Sequence, residues 1–301
     1  MPRSFAAYPD DISGHNHRTD ADGSQAWRGQ RILRPTGPRA DWRSLAFSCT
    51  YDIPGSSRIL NGLQESSAAS LTKGEADAGK TIFYEFYTER QKQEDPAKRL
   101  TGLFFFRGKP GAPFAIVCPG GGFSYVGSLH EGFPLAREIS RKGFNAFVIR
   151  YRVDERGATE DLAAAVSYVF RNAERLGVGT RGYSLWGCSA GARMVGNIAL
   201  RGVAGYGGDD LPRPAAAVIA YTGPSGVSGD FPPTFINVSE YDRIVNAATV
   251  EQRVRDLRKA GVEVEFHKYK SVGHGFGLGV GTEAEGWIGQ AAAFWTSHMP
   301  K

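Results

Sequence analysis

The chain has 301 residues, of which 41% are hydrophobic and 22% charged, and its formal net charge is +5. This length and composition are typical of a globular protein that can bury a sizeable core. No apolar run is long enough to span a bilayer, so no membrane partner is expected. The three cysteines, Cys49, Cys118 and Cys188, are too few and too scattered for a disulfide framework or a zinc site.

The first part of the chain differs from the rest in composition and in residue pattern. Residues 1–76 are rich in Gly, Ser, Asp and Pro and show no sustained periodicity, which predicts a partly irregular N-terminal extension before a folded domain at 77–301. The arginines of this extension are interrupted by Pro35 and Pro38 and match no nucleic-acid-binding motif, so no nucleic-acid partner is expected. The polar start contains no signal segment, which favours a cytoplasmic protein. The alternative is that a leader peptide has already been removed.

From Lys80 onwards, apolar runs alternate with helical patterns. The predicted strands are 81–87, 102–106, 114–118, 145–151, 183–186, 215–221, 234–238 and 262–269. Predicted helices begin near Glu131, Thr159, Ala190, Asn246 and Glu283, with Thr159 as an N-cap and Gly177 closing that second helix. This alternation predicts an α/β fold with a doubly wound, mostly parallel sheet of about eight strands.

The pentapeptide Gly187-Cys188-Ser189-Ala190-Gly191 lies between a predicted strand and a predicted helix and matches G-x-S-x-G. The glycines permit the tight turn that pushes a nucleophilic Ser out of the sheet, at a helix N-terminus that favours negative charge. A chain with 39 glycines also yields chance matches, so an ordinary strand-turn-helix is the alternative. The flanking elements favour Ser189 as a nucleophile.

A base and an orienting acid follow Ser189 in the chain. Asp242 comes after the strand ending at Val238, and His274 lies among glycines after the strand ending at Tyr269. The carboxyl ends of parallel strands share one edge of a sheet, where ligands bind. A His can take the Ser proton, and an Asp can fix the tautomer of that His. The chain order Ser, Asp, His is typical of one hydrolase architecture.

Other residues compete for these roles. Glu240 is the rival acid, and Asp242 could instead form a surface ion pair with Arg243. His274 itself could be a surface residue of a flexible loop. The other histidines are less suited: two in the polar arm, one following the glycine loop that could line a pocket, one in a strand and one in the last helix, namely His15, His17, His130, His267 and His298.

The segment Pro119-Gly120-Gly121-Gly122-Phe123 follows the third core strand, and its small residues let backbone N–H groups converge on an oxyanion. We expect the oxyanion hole to consist of Gly121 or Gly122 together with Ala190. Nucleotide-binding glycine motifs are missing from the sequence, so no nucleotide is expected. The aromatic residues that could form substrate-binding walls, or equally belong to the core, are Phe123, Tyr125, Tyr221, Phe276 and Trp287.

Residues 79–295 resemble the α/β-hydrolase superfamily, and in particular its bacterial esterase branch of acetylxylan-esterase-like and feruloyl-esterase-like proteins, some labelled xylanase-like. The matching motifs are Pro119–Phe123, Glu131-Gly132, Arg150-Tyr151-Arg152, Gly187–Gly191, Asp242 and Gly273–Gly277. The resemblance implies a Ser hydrolase that acts on small acyl esters, often acetyl esters, without a cofactor. Hormone-sensitive-lipase-like esterases usually have His where Pro119 stands, which argues against that branch.

Several rival functions fit less well. A peptidase of this architecture usually carries an additional specificity domain, and dienelactone hydrolysis usually uses Cys where Ser189 stands. A glycosidase needs a suitable pair of carboxylates, and a binding protein on this fold typically lacks one of Ser, Asp and His. Residues 222–233 are too few for a large inserted lid. We therefore expect a serine esterase for small-molecule or carbohydrate esters, with the oligomeric state left open.

Overall fold

The computed structural model describes residues 82–223 and 225–301. The predicted N-terminal extension at 1–76, with His15, His17 and Cys49, lies outside the described residues. In the described part, no helix combines the length and apolarity needed to cross a membrane. The same part contains no group of His, Cys, Asp and Glu side chains suited to holding a metal ion.

The architecture is an eight-stranded sheet with helices on both faces, which confirms the predicted fold class. The strands are β1 Phe83–Tyr84, β2 Gly102–Phe106, β3 Pro113–Cys118, β4 Asn145–Arg150, β5 Gly179–Cys188, β6 Ala216–Ala220, β7 Thr234–Ser239 and β8 Val264–Tyr269. Their spatial order is β1-β2-β4-β3-β5-β6-β7-β8. Strands β3 to β8 run parallel, and β2 is antiparallel to both of its neighbours.

Helices alternate with these strands. They are α1 Glu89–Glu94, α2 Phe133–Arg141, α3 Glu155–Arg171, α4 Ala173–Leu176, α5 Ala190–Arg201, α6 Ala247–Lys259 and α7 Trp287–Ser297. Short 3₁₀ turns occur at Pro96–Leu100 and Ala204–Tyr206, and a π-helical turn at Ser128–Gly132 precedes α2. Because the chain leaves β3 towards one side and continues from β5 towards the other, the loops after β3 and β5 meet at a topological switch point, where α/β proteins bind ligands.

Two hydrophobic cores lie on opposite faces of the sheet. On one face, Leu162 and Val166 of α3 pack with Ile198 of α5 and Leu257 of α6. On the other face, α2 and α7 pack on the sheet through large side chains that include Ile139, Trp287 and Trp295. The central strands are buried on both faces, which explains why they read as continuous apolar runs.

The predicted N-cap at Thr159 is wrong. Helix α3 begins at Glu155, and the Asp154 side chain caps it by accepting a hydrogen bond of 2.6 Å from Gly157 N. Thr159 lies inside the helix, fully buried, and donates its hydroxyl to Glu155 O. Asp154 and Thr159 are both residue types that cap helices, and packing against α5 decides between them.

The last helix also starts later than predicted, at Trp287 rather than Glu283. The Glu283 carboxylate accepts hydrogen bonds from the backbone of Lys270 and Ser271. Glu283 therefore stabilises the start of the loop that carries His274, and the chain between them forms turns.

Candidate active site

Ser189 occupies a tight turn between β5, which ends at Cys188, and α5, which begins at Ala190. Its backbone has φ 50° and ψ −116°, a conformation that non-glycine residues rarely adopt. The neighbouring glycines are required by close contacts. A Cβ on Gly191 would lie 1.9 Å from Cys118 O, and one on Gly187 would lie 2.5 Å from the Ala192 backbone. The turn therefore holds Ser189 at the end of the central strand.

The structure brings Ser189, His274 and Asp242 together in one chain of hydrogen bonds. His274 Nε2 lies 2.8 Å from Ser189 Oγ, and His274 Nδ1 lies 2.7 Å from Asp242 Oδ2. The three residues come from loops that follow β5, β7 and β8, which end at the same edge of the sheet. The arrangement can move a proton from the Ser hydroxyl to the imidazole while the carboxylate stabilises the resulting charge.

Asp242 is held in place by its own loop. Its side chain is 0% exposed, and Oδ1 accepts hydrogen bonds of 2.8 Å from the backbone N–H groups of Ile244 and Val245. This leaves Oδ2 for His274. The rival acid Glu240 is exposed, and the ion pairs of the described residues include none between Asp242 and Arg243. His274, with 16% of its side chain exposed, stays accessible from the site.

The glycine loop after β3 presents free backbone donors. Gly121, Gly122 and Phe123 all have positive φ, at 135°, 60° and 56°, so the chain reverses here within three residues. Within the described part of the chain, the N–H groups of Gly121, Gly122 and Ala190 donate to no acceptor. Ser189 N, by contrast, is bonded to Ala220 O. The predicted oxyanion donors are therefore unpaired within the described residues.

The predicted aromatic walls fall into two groups. Tyr125 is 37% exposed in the glycine loop, while Phe123 and Phe276 are half-buried beside it and beside His274. Tyr221 and Trp287 are buried, with the Trp287 indole N–H donating to Gly277 O at 2.8 Å. Burial removes these two residues from the surface that a substrate reaches. Their contacts with His274 and Gly277 support the His274 loop instead.

The remaining histidines within the described ranges hold structural positions. His130 is exposed, and its Nε2 lies 3.0 Å from Gly275 O in the His274 loop. His267 contacts Glu265 at 2.7 Å and stacks on Phe235, as expected for a strand residue. His298 contacts Glu263 at 3.0 Å.

Sequence reasoning assigned no specific role to the side chains beneath the glycine loop. The Tyr151 hydroxyl donates to Pro119 O at 2.6 Å, and the Glu131 carboxylate accepts from Gly120 N at 2.6 Å. Both residues lay in motifs that matched the family, which was the only signal available. Burial raises the pKa of the Tyr151 and Tyr221 hydroxyls well above the ordinary value, so both are protonated donors.

The two described thiols flank the same region without joining the site. Cys118 and Cys188 are free and buried, and they belong to the cores on opposite faces of the sheet. Burial raises the pKa of both thiols, so each behaves as a small apolar side chain rather than as a nucleophile.

Comparison with known proteins supports the fold. A family model described as alpha/beta hydrolase fold matches residues 203–278. Over 92 residues the chain is 33% identical to endo-1,4-beta-xylanase B of Butyrivibrio fibrisolvens, a stretch that covers 28% of this chain and 14% of that protein. The chain thus matches only a small part of the length of this curated relative.

Solved structures are similar over most of their own length. The alpha/beta hydrolase enzyme MGS-M1, from a Medee basin deep-sea metagenome library, superposes with a TM-score of 0.58 at 25% identity, over 66% of this chain and 92% of that one. The acetyl ester-xyloside bifunctional hydrolase of Caldicellulosiruptor lactoaceticus gives a TM-score of 0.60 at 20% identity, over 71% and 95%. Together with the sheet order and the Ser189 turn, these similarities show that the chain has the α/β-hydrolase fold.

Proposed function

We propose that the protein is a serine hydrolase of carboxylic esters with short acyl groups, acetyl above all. The observation that carries this proposal is the hydrogen-bond chain from Ser189 through His274 to the buried Asp242. A Ser hydroxyl bonded to an oriented imidazole is the arrangement needed for acyl transfer.

The reaction has two steps. His274 Nε2 takes the Ser189 proton as Oγ attacks the ester carbonyl, and the proton then passes to the departing alcohol. Water attacks the acyl-enzyme, again with His274 as base, and releases the carboxylic acid. The free N–H groups of Ala190 and of Gly121 or Gly122 would stabilise the oxyanion in both steps, and losing one such donor costs roughly 3 kcal/mol of transition-state stabilisation.

The choice of an acetyl ester of a carbohydrate as substrate rests on similarity. The Caldicellulosiruptor lactoaceticus structure is an acetyl ester-xyloside hydrolase by its title, and the Butyrivibrio fibrisolvens relative is named a xylanase. The segment after β6, residues 222–233, is short, which favours an open site over one covered by a large inserted lid. Acetylated xylo-oligosaccharides are therefore the natural substrates to try first.

The test is hydrolysis of p-nitrophenyl acetate, butyrate and octanoate by the wild type, by Ser189→Ala and by Ser297→Ala. Ser297 is a surface residue of α7 and serves as the matched control. We expect the highest rate on acetate, a loss of roughly 10⁶-fold in Ser189→Ala and no change in the control. A folded wild type that is labelled by a fluorophosphonate but hydrolyses none of these esters would instead indicate another acyl hydrolase, such as a peptidase.

A further inference from the structure

A buried carboxylate lies beneath the point where the loops of the candidate site meet. Glu131 sits in the π-helical turn Ser128–Gly132 and is only 5% exposed. Burial of a carboxylate is unfavourable unless hydrogen bonds compensate for the lost water, so the partners of its two oxygens explain its position.

Each oxygen of Glu131 has a different partner. Oε2 accepts from Gly120 N at 2.6 Å, and Oε1 accepts from the Tyr221 hydroxyl at 3.0 Å. The Tyr221 ring lies edge-on to the His274 ring, with centroids 5.3 Å apart, and to the Phe276 ring at 4.6 Å. One carboxylate thus connects the oxyanion loop to the surroundings of the catalytic imidazole.

The glycines around this carboxylate show how closely the loops approach it. A Cβ on Gly120 would lie 2.7 Å from Glu131 Oε2 and 3.0 Å from Ser189 Cβ, and one on Gly275 would lie 3.5 Å from Oε1. The neighbouring His130 contacts Gly275 O from the outside. The His274 loop is therefore in contact with two consecutive residues of the same turn.

The peptide group between Pro119 and Gly120 is clamped at both ends. Its carbonyl accepts from the Tyr151 hydroxyl, and its N–H donates to Glu131. The next carbonyl, Gly120 O, accepts from Gly127 N at 2.9 Å. These bonds fix the orientation of the peptide groups immediately before Gly121 and Gly122, whose N–H groups have no acceptor among the described residues. The orientation of the oxyanion donors follows from that of these peptide groups.

We propose that Glu131 is a positioning residue that sets the oxyanion loop and the His274 loop in register with Ser189. This inference rests on the proposed function, because it concerns the geometry of the same reaction. Glu131 acts through Gly120 and Tyr221 and does not itself touch the substrate. Its loss therefore lowers kcat, since the oxyanion donors matter most in the transition state, and leaves KM nearly unchanged.

Two conservative substitutions separate the shape of this side chain from its charge. Glu131→Asp keeps the charge but is one methylene too short to span Gly120 and Tyr221. Glu131→Gln keeps the length: its Oε1 can accept from Gly120 N while its Nε2 donates to the Tyr221 oxygen. We expect Glu131→Asp to lower kcat by roughly 10- to 100-fold, and Glu131→Gln to lose distinctly less.

The experiment measures kcat and KM on p-nitrophenyl acetate, the rate of fluorophosphonate labelling and the folded fraction by circular dichroism. Glu138→Gln, the same change at an ion-paired position on the surface of α2, is the matched control. The labelling rate keeps the two proposals apart. A wild type that is labelled but hydrolyses no ester contradicts the proposed substrate, while the labelling rates of the variants still test Glu131.

Wild-type rates in folded Glu131→Asp, equal losses in Glu131→Asp and Glu131→Gln, or a loss confined to KM would each overturn the positioning role. Should Glu131→Asp fail to fold, Tyr221→Phe decides the matter. It removes the hydroxyl that donates to Oε1, together with the hydrogen bond of that hydroxyl to the Cys188 thiol, so we expect a several-fold decrease in kcat at constant KM. A folded Tyr221→Phe protein with wild-type kcat would contradict the inference.

Discussion

Two aspartates lie at the carboxyl edge of the sheet, each with a side chain that is 0% exposed, yet their surroundings differ. Asp161 on α3 accepts from the Arg152 guanidinium, from Arg152 N at 2.7 Å and from the Tyr87 hydroxyl at 2.7 Å. Asp242 has backbone donors on one oxygen and an imidazole on the other.

The difference lies in what the partner can do next. Arg152 is permanently charged and has further contacts with Asp95 and Glu160. The charged groups of this Asp161 cluster therefore bond to one another. The cluster consists of Tyr87, Asp95, Arg152, Glu160 and Asp161. His274 can gain and lose a proton, and its second nitrogen faces Ser189. A saturated buried carboxylate stabilises the fold, whereas one that orients a titratable group can support a reaction.

Among the substitutions that compare the two aspartates, Asp242→Asn should have the largest effect. The backbone N–H groups of Ile244 and Val245 hold the oxygen of the new amide, so its NH₂ faces His274 Nδ1. This selects the wrong tautomer, with a proton on Nε2, and the imidazole can no longer accept the Ser189 proton. We expect kcat to fall by roughly 10⁴-fold with an almost unchanged melting temperature. Ester hydrolysis near the wild-type rate would contradict the claim that Asp242, unlike Asp161, supports the reaction.

Asp161→Asn should show the opposite pattern. It leaves Arg152 partly buried, with only the half-exposed Asp95 and Glu160 as counter-charges. We expect a loss of about 3 kcal/mol in the free energy of unfolding, because a buried pair has been broken. The melting temperature should fall by roughly 6–12 °C for a chain of this size. The kcat of the remaining folded protein should be retained, and a loss of kcat at full stability would contradict this assignment.

The two buried thiols beneath the site should make stability depend on alkaline pH. Burial raises the pKa of the Cys118 and Cys188 thiols above their ordinary value of 9.0, so they stay protonated when folded and ionise when unfolded. The stability from these groups is complete below pH 9 and is lost as the pH rises further. Each contributes a slope of about half of 1.4 kcal/mol per pH unit at pH 9, and the slope approaches about 1.4 kcal/mol per pH unit at higher pH.

Urea unfolding at pH 8, 9 and 10 measures this slope, and Cys118→Ala should make it shallower. Asp161→Asn serves as the reference between pH 8 and pH 9, below the ordinary pKa of 10.0 for the Tyr87 hydroxyl, because this variant keeps both thiols. An equal slope in the wild type and in Cys118→Ala would show that the thiol at 118 is not the group that titrates.

The smallest effect should come from Asp95→Asn. Asp95 is bonded to Arg152 at 2.8 Å, but 34% of its side chain is exposed. Asn can still accept from Ala97 N and so keep the cap of the 3₁₀ turn. We expect a loss of only about 0.5 kcal/mol in chemical unfolding. A loss as large as that of Asp161→Asn would mean that the cluster acts as one unit.

Much of the fold and of the site could be predicted because their signals are local. Apolar runs and the G-x-S-x-G turn are written in consecutive residues, and the sheet topology then brings loops at Ser189, Asp242 and His274 to one edge. Contacts between distant segments carry no such signal. Glu131 meets Tyr221 across 90 positions of the chain, and Tyr87 meets Asp161 across 74.

The wrong predictions have the same origin. Asp154 and Thr159 are equally good caps in isolation, and the contact of Thr159 with Asn197 on α5 appears only in three dimensions. Glu283 suits the first turn of a helix, but the free N–H groups of Lys270 and Ser271 bind its carboxylate instead.

The turn at Ser189 places a hydroxyl and a thiol next to each other in the sequence and on different sides of the backbone. Ser189 faces the site, while Cys188 is enclosed in the core behind it. Electrophiles should therefore discriminate between two adjacent nucleophiles by access alone. Alkylating and oxidising agents specific for thiols should spare residue 188 in the folded protein, whereas phosphonylating agents should reach residue 189. Selective covalent inhibitors of this site can be designed on that separation.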